Sequence, residues 1–418
     1  MKEAVVVDIC RSPIGQAGEK GVFRAITGND LIVQVQKAIV WERNKLWSGF
    51  VDEVVNGSVG AGGSRSTNLV TGWPYEPAGS DGYRACASSS EAIAVCAEYI
   101  MNDDADIQIA SSAETPGRTG PLPPNQIGKS GNPVIEARRR PPPPPTFKKE
   151  DYPEGWKFAK LLPKVRPDLP SWLGNLGRGV EEFAQHVDIS REDADTYAWS
   201  SHEKAIAAQD AGLFKNTIQP ITITYEDDST EVIEADQCPS RDMSLEKLKA
   251  LPSAYMENGK VTAGNSCKQN DGAGEVLMMS KERAKELGYK PMITFRYTVV
   301  TGVDPTLFGI GSYYAIDKLL KRTGMKISDF DIIEINESSA YEVLYCGRQL
   351  GFGPKEWEKT NVNGGAISIG QPLGISGITQ TAVLANEMVR RDLRWGLAAI
   401  CGGDGQGIAT IFEREKYG

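Results

Sequence analysis

The sequence predicts an α/β fold built from two similar halves, and three observations carry that expectation. The N-terminal part runs strand, helix, strand, with an apolar strand at 5–9, a helix at 27–43 and a strand at 51–57. The part from residue 292 onward repeats that order, with a strand at 292–301, a helix at 311–323 and a strand at 331–335. Each part also carries a cysteine near the end of an element, Cys86 before A-S-S-S and Cys401 before G-G-D-G-Q-G. A chain of 418 residues is long enough for two or three packed domains.

The elements follow in order. The run at 5–9 ends at Cys10, and R-S-P-I-G at 11–15 is a turn. In 27–43, Leu31, Ile32, Val35 and Ile39 fall on one helical face. Residues 64–69 and the stretch from Trp73 read as loop and short helix. In 80–101, Ala92, Ile93, Val95, Cys96, Ala97 and Ile100 recur at helical spacing, and Ser88 to Ser90 with Glu91 read as the capping region. Cys86 therefore sits at the junction into a mostly apolar helix, where backbone N–H groups favour a thiolate. The same window fits a buried, inert cysteine equally well. Residues 105–112 are a buried strand ending beside Glu114.

From Thr115 to about Leu173 lie most of the prolines, including Pro141 to Pro145, together with Trp156, Phe158 and Trp172. Such a segment is extended and stiff, and its aromatics need a surface, so it is expected to cover part of a cleft or an interface. Helices are expected at 179–188 and 191–211, the second opening on Ser190 with Glu192 and Asp193 behind it. His186 and His202 lie on these helices and read as ordinary helical histidines. A strand at 218–225 pairs with 230–234. The stretch V-T-A-G-N-S-C-K-Q-N-D-G-A-G at 261–274 is rich in turn formers, and a helix is expected at 275–287. The strand at 331–335 delivers N-E-S-S at 336–339, and a helix follows through Leu350. A Gly-rich segment at 361–377 enters a helix through Met388, and strands at 395–400 and 408–412 flank Cys401.

Composition narrows the function. Net charge is −9, and the short Arg138 to Arg140 run is too small a basic patch for nucleic acid. An acidic chain still binds phosphates through local backbone donors and a few lysines. The start, M-K-E-A-V-V-V-D-I, reads as a strand rather than a signal peptide, and no run reaches membrane-spanning length. The seven cysteines are scattered without a CxxC pair, and only two histidines accompany them. A structural zinc site is therefore not expected, and a reducing, cytoplasmic setting is.

Taken together, the segments resemble those of the thiolases over nearly the full length. The markers are R-S-P-I-G at 11–15, the Cys86 segment, V-T-A-G-N at 261–265, N-D-G at 270–272, N-E-S-S at 336–339, G-Q-P-L-G-I-S-G at 370–377 and the Cys401 glycine motif. The resemblance implies duplicated βαβαβαββ halves in five αβαβα layers with an inserted loop domain. The expected boundaries are 1–114 plus 252–280 for the first half, 115–251 for the insert and 281–418 for the second half. It also implies a homodimer or a dimer of dimers, with the nucleophile deep at the junction of the halves and reached by a pantetheine arm.

The implied activity is CoA-dependent cleavage of a 3-oxoacyl-CoA through an acyl-cysteine. Cys86 matches the nucleophile and Cys401 the acid/base. Asn336, through a water, matches one oxyanion hole; the N–H groups of Cys86 and Gly403 match the other. Ala263, Gly264 and Cys267 match the loop beside the pantetheine. CoA is expected as a substrate, with no permanently bound cofactor and no metal in this chain. Some thiolases act with a small zinc-ribbon partner subunit, whose metal would belong to that partner.

The departures from the family pattern carry their own expectations. Gln371 stands where the family has the histidine of G-H-P; an amide donates a hydrogen bond there but is no base. Cys86 would then be primed by the helix N-terminus, by Cys401 or by the departing substrate group. Ser338 and Ser339 replace the A-F of N-E-A-F, which would open or reshape the pocket. Asp404 replaces a glycine and either raises the Cys401 thiol or points outward in a turn. Cys267 replaces a serine. These changes suggest a specialised substrate, a branched or aryl 3-oxoacyl-CoA, with Trp73, Tyr83, Trp156 and the Tyr313–Tyr314 pair as candidate pocket walls. Two other readings stand beside this one: a catalytically weak acyl-CoA-binding or scaffold subunit, suggested by the lost histidine, and a Claisen-condensing biosynthetic enzyme.

Overall fold

The computed structural model describes residues 2–60, 63–116 and 175–415. The first half supplies strands β1 (Ala4–Arg11), β2 (Gly15–Gln16), β3 (Glu53–Asn56), β4 (Ala78–Asp81) and β5 (Ile107–Glu114). After a separate hairpin of β6 (Ile221–Thr224) and β7 (Thr230–Ile233), it is completed by β8 (Asn270–Ser280). The second half supplies β9 (Ile293–Gly302), β10 (Ile332–Ile335), β11 (Trp395–Gly402) and β12 (Gln406–Glu413).

The repeat is visible in the pairing. In the first half β3 and β5 are parallel, and β5, β8 and β1 follow antiparallel. In the second, β10 and β11 are parallel, and β11, β12 and β9 follow antiparallel. A parallel bridge from Ile333 to Thr360 takes the place that β4 holds beside β3. The half-sheets join where β1 meets β9 through Val5–Thr294 and Val6–Ile293, giving one ten-stranded sheet.

Alternating side chains make the layers. In β8, Leu277 and Met279 face an outer core with Leu31 and Val35, whereas Val276 and Met278 face the central helices. In the second half Ile333, Leu397 and Ile411 face the outer Ala315, Ile316 and Leu319, whereas Ile332 and Phe412 face the centre. The central layer is the pair Ser88–Met101 and Ser376–Arg391, covered by both half-sheets. These two helices meet at their first turns: a Cβ added to Gly377 would lie 2.5 Å from the Ser90 backbone nitrogen. A glycine is what lets the two chains approach there.

The structure corrects several expectations. Residues 275–280 are strand, not helix, and the helix begins only at Lys281–Glu286. A strand buried on both faces reads as an unbroken apolar run, which periodicity does not distinguish from a buried helix. The helix after Cys86 has Ala87 as its N-cap with no side-chain cap. Ser88 Oγ instead accepts from Arg84 N at 2.9 Å and donates to the Ala85 carbonyl, while Glu91 pairs with Arg84 at 2.8 Å. Ser190, by contrast, caps the Arg191–Asp210 helix as expected. The proline-rich stretch, with Arg138 to Arg140, Trp156, Phe158 and Trp172, lies outside the described residues. Among the described residues no helix is long and apolar enough to cross a membrane.

Candidate active site

The motif segments converge on the ends of the central helices. Buried Arg11 makes a two-pronged ion pair with Asp236 at 2.7 and 2.8 Å, fixing the 11–15 turn. Asn270 donates to the Gly15 carbonyl at 2.9 Å and accepts from the Gln371 backbone N–H at 2.9 Å. Gly370 turns there at φ +107°, where a Cβ would strike Ile14 and Asn270. The 261–267 loop pairs with N-E-S-S: Ala340 N donates to the Asn265 carbonyl at 2.9 Å and Cys267 N to the Ser338 carbonyl at 3.0 Å. Glu337 ties the far side, accepting from Tyr197, Ser201 and the Ile367 N–H at 2.8, 2.8 and 3.0 Å.

Cys86 lies in this convergence, packed with Ala87, Ile400 and Ile408. The preceding Ala85 has a left-handed φ of +47°, so the chain turns sharply into the helix at this point. The N–H groups of Gly403 and of Cys86 itself act on the sulfur to favour its thiolate, so dipoles from both halves meet on it. Burial nevertheless dominates and pushes the thiol up to about 12; the two N–H groups pull it down, and Glu342 opposes them. The N–H groups favour the thiolate in the expected direction, but in the free protein desolvation outweighs them.

Cys401 ends β11, fully buried. Its sulfur donates to Glu342 Oε2 at 3.3 Å and lies 3.7 Å from Ser338 Oγ. Its pKa is raised well above the ordinary value by burial, then by Glu342 and by Cys86. Asp404 is not among these causes: it is exposed, at φ +64°, and serves the turn. Cys267 faces the same centre; burial, then Cys86 and Glu342, raise its pKa.

Three amides in this region, Gln371, Asn336 and Gln380, have buried atoms with no partner among the described residues. Gln371 is 1% exposed, and among the described residues neither its Nε2 nor its Oε1 has a partner; Asn336 Nδ2 and Gln380 Oε1 have none there either. Asn336, Glu334 and Gln380 line a cavity of about 20 Å³, room for a single water. Ala263 is on the rim of a larger cavity of about 280 Å³, with His202 and Lys268. Gly264 instead turns inward, where a Cβ would strike Leu248 and Leu251. His202 is held down to about 4 by burial and accepts a hydrogen bond from Ser240 N at 3.3 Å, as befits an ordinary buried histidine.

The other candidate pocket residues each have a local setting. Ser339 is buried and caps the Ala340–Gln349 helix. Ser338 is occupied by Glu342, to which it donates a hydrogen bond. Trp73 packs in the outer core of the first half, Tyr83 is exposed, and Tyr313 stacks edge-on against Tyr314 and Tyr345, so these aromatics form no common wall.

The residue missed from the sequence is Glu342. It is fully buried and takes hydrogen bonds from Ser312, Ser338 and Cys401. The S-x-x-E pattern of Ser339 to Glu342 resembles a capping box, which assigns the glutamate to its own helix end. The i,i+4 spacing from Ser338 was the signal for its actual direction.

Comparison with known proteins agrees with this geometry. The family model for the thiolase N-terminal domain matches residues 4–122 and 174–282, and that for the thiolase C-terminal domain matches 289–414. A 3-ketoacyl-CoA thiolase of Photobacterium profundum is 33% identical, over 99% of this chain and 100% of that protein. A beta-ketoadipyl-CoA thiolase of Acinetobacter baylyi is 33% identical over the same shares. Among solved structures, the Bacillus anthracis acetyl-CoA acetyltransferase superposes with a TM-score of 0.83 at 30% identity, covering 99% of both chains. The human mitochondrial 3-ketoacyl-CoA thiolase in complex with CoA superposes at 0.79 and 29% identity, over 99% of this chain and 98% of that one. With both family domains spanning its halves and full-length relatives on either measure, this chain belongs to the thiolase family.

Proposed function

We propose that the protein is an acyltransferase that cleaves a 3-oxoacyl-CoA with a second CoA, through an acyl group carried on Cys86. The observation that supports it most is the sulfur of Cys86 under the N–H groups of Gly403 and Cys86, within the field of the buried Glu342 that also binds Cys401. Cys86 attacks the 3-keto carbon, and the oxyanion formed meets preorganised donors. The C2–C3 bond then breaks, and Cys401 delivers its proton to C2 of the departing acyl-CoA. The thiol of CoA next attacks the acyl-Cys86 carbonyl and releases the shortened thioester. Gln371 Nε2 and Asn336 Nδ2, buried without partners among the described residues, are the donors for a thioester oxygen, Asn336 through a water. Ala263 and Cys267 lie on the approach for the pantetheine.

Support for the other assignments is of a different kind. All seven cysteines are free, which fits a reducing cytoplasm. Strand β4 ends the sheet with one side unpaired, a fit for pairing with a second copy in a dimer. Light scattering on the purified protein tests the dimer: a monomeric mass would overturn it. For the reaction, the protein is mixed with acetoacetyl-CoA, 3-oxohexanoyl-CoA and 3-oxoadipyl-CoA and its intact mass is read. An acyl adduct that maps to Cys86 and disappears on adding CoA is the expected result. No adduct and no CoA-dependent cleavage with any of the three would refute the assignment.

A further inference from the structure

Gln371 leaves Cys86 without a base in the position where a basic side chain would be expected, yet the centre contains a titratable group that the reaction above does not use. Glu342 lies in the helix Ala340–Gln349, fully buried, with Oε2 3.3 Å from the Cys401 sulfur. Hydroxyls come from two further directions, Ser312 at the start of the Gly311–Thr323 helix and Ser338 before the glutamate's own helix. The titratable groups whose pKa values it raises are the thiols of Cys86, Cys401, Cys267 and Cys346. Among the described residues no cation pairs with it. A carboxylate sunk among thiols without a paired cation is costly to keep. It serves stability poorly and proton transfer well.

We propose that Glu342 is the proton acceptor of this centre, taking the proton that frees the Cys86 thiolate and returning it through Cys401. The inference rests on the acyl-Cys86 reading. As Cys86 attacks, its proton passes to the Cys401 sulfur while Cys401 passes its own to Glu342 Oε2. The Cys86 sulfur forms its bond to the 3-keto carbon. When the C2–C3 bond breaks, its electron pair on C2 takes the proton of Cys401, and Cys401 recovers a proton from Glu342. One proton has moved from Cys86 to C2, and both Cys401 and Glu342 are as they began. In the second half-reaction the CoA proton follows the same path to Glu342 and ends on Cys86 as the acyl group leaves. A full thiolate on Cys401 and a carboxylate on Glu342 never stand side by side, which removes the like-charge cost. Burial raises the Glu342 carboxyl to about 7, with the Ser312, Ser338 and Cys401 hydrogen bonds pulling back. A group near neutrality both takes and gives a proton readily.

The test uses the full chain with acetoacetyl-CoA, 3-oxohexanoyl-CoA and 3-oxoadipyl-CoA, reading Cys86 acylation by rapid-quench mass and kcat/KM against pH. In the wild type kcat/KM rises with pH through an acid limb near 7. Glu342→Gln should lower the acylation rate about 100-fold and erase that limb, with KM within about threefold. Glu342→Asp should restore part of the rate together with a limb. Ser338→Ala, which removes one donor to the carboxylate, should move the limb upward. A Glu342→Gln enzyme with the wild-type limb and rate, or a Glu342→Asp enzyme as slow as Glu342→Gln, would overturn the proposal while leaving the acyl-enzyme reading intact. Wild-type protein that never acylates Cys86 would overturn both. If Glu342→Gln does not fold, the Asp and Ser338→Ala profiles decide: an unmoved limb in both rejects the role.

Discussion

Each half of the molecule buries a carboxylate beside the reactive sulfurs, and the two are used differently. Glu114 ends β5 and takes hydrogen bonds from the backbone N–H groups of Val59, Gly60 and Gly374, so it fastens loops. Glu342 takes hydrogen bonds from two hydroxyls and a thiol, groups that can exchange protons, with one backbone N–H, that of Ser338, beside them. Burial raises both. The lesson is that a buried acid is defined by what donates to it: N–H donors make it a clamp, and S–H and O–H donors make it a proton store.

The comparison can be broken in order of size. Cys86→Ser should lower thiolysis at least about a thousandfold and leave no adduct in the intact-mass assay; retained turnover would remove the sulfur that both acids surround. Gln371→His adds back an imidazole and should speed Cys86 acylation about tenfold in a Glu342→Gln background, with a smaller gain in wild type. If the gain is equal in both, Glu342 is no base.

Stability sharpens the contrast further. Glu342 titrates at about 7 in the fold against an ordinary 4.5. The unfolded chain therefore releases this proton first, and the stability due to the neutral acid is full below 4.5 and lost as pH rises to 7, by up to about 3 kcal/mol. In urea titrations at pH 5 and pH 8, Glu342→Gln should flatten that decline. Glu114→Gln should instead cost about 1–3 kcal/mol at pH 8, where the loop donors lose their anion, with the acid limb of kcat/KM unmoved. An acid limb that follows Glu114 would reverse the two roles. Last, Gly377→Ala presses on the Ser90 backbone from the second half; a loss of about 1–3 kcal/mol in the same titration is expected.

Much of this was legible in the chain, for physical reasons. The Leu31–Val35 face and the Ser190 cap are local signals, and each formed the expected element. Strand β8 misled because both of its faces are buried, leaving no alternation to read. The motifs brought Cys86, Gly403, Gln371 and the 261–267 loop to one place, since each is a short segment with its own turn chemistry. Glu342 was hidden because, Ser338 apart, its partners arrive from the Gly311–Thr323 helix and from β11, and only tertiary structure joins them. Ser339 shows a local role that the sequence also held, as the N-cap of the helix it precedes.

The hydrogen bond from Arg84 to Gln406 spans 322 positions, and the Gly403 N–H that faces Cys86 belongs to the same turn. Closing a loop of that length is among the slower and entropically dearer events available to a chain. Cys86, the proposed nucleophile, thus acquires its surroundings only when the C-terminal strands have docked. A nascent or partly unfolded copy carries the right cysteine in the wrong field, so catalytic competence in this protein doubles as a readout of completed assembly.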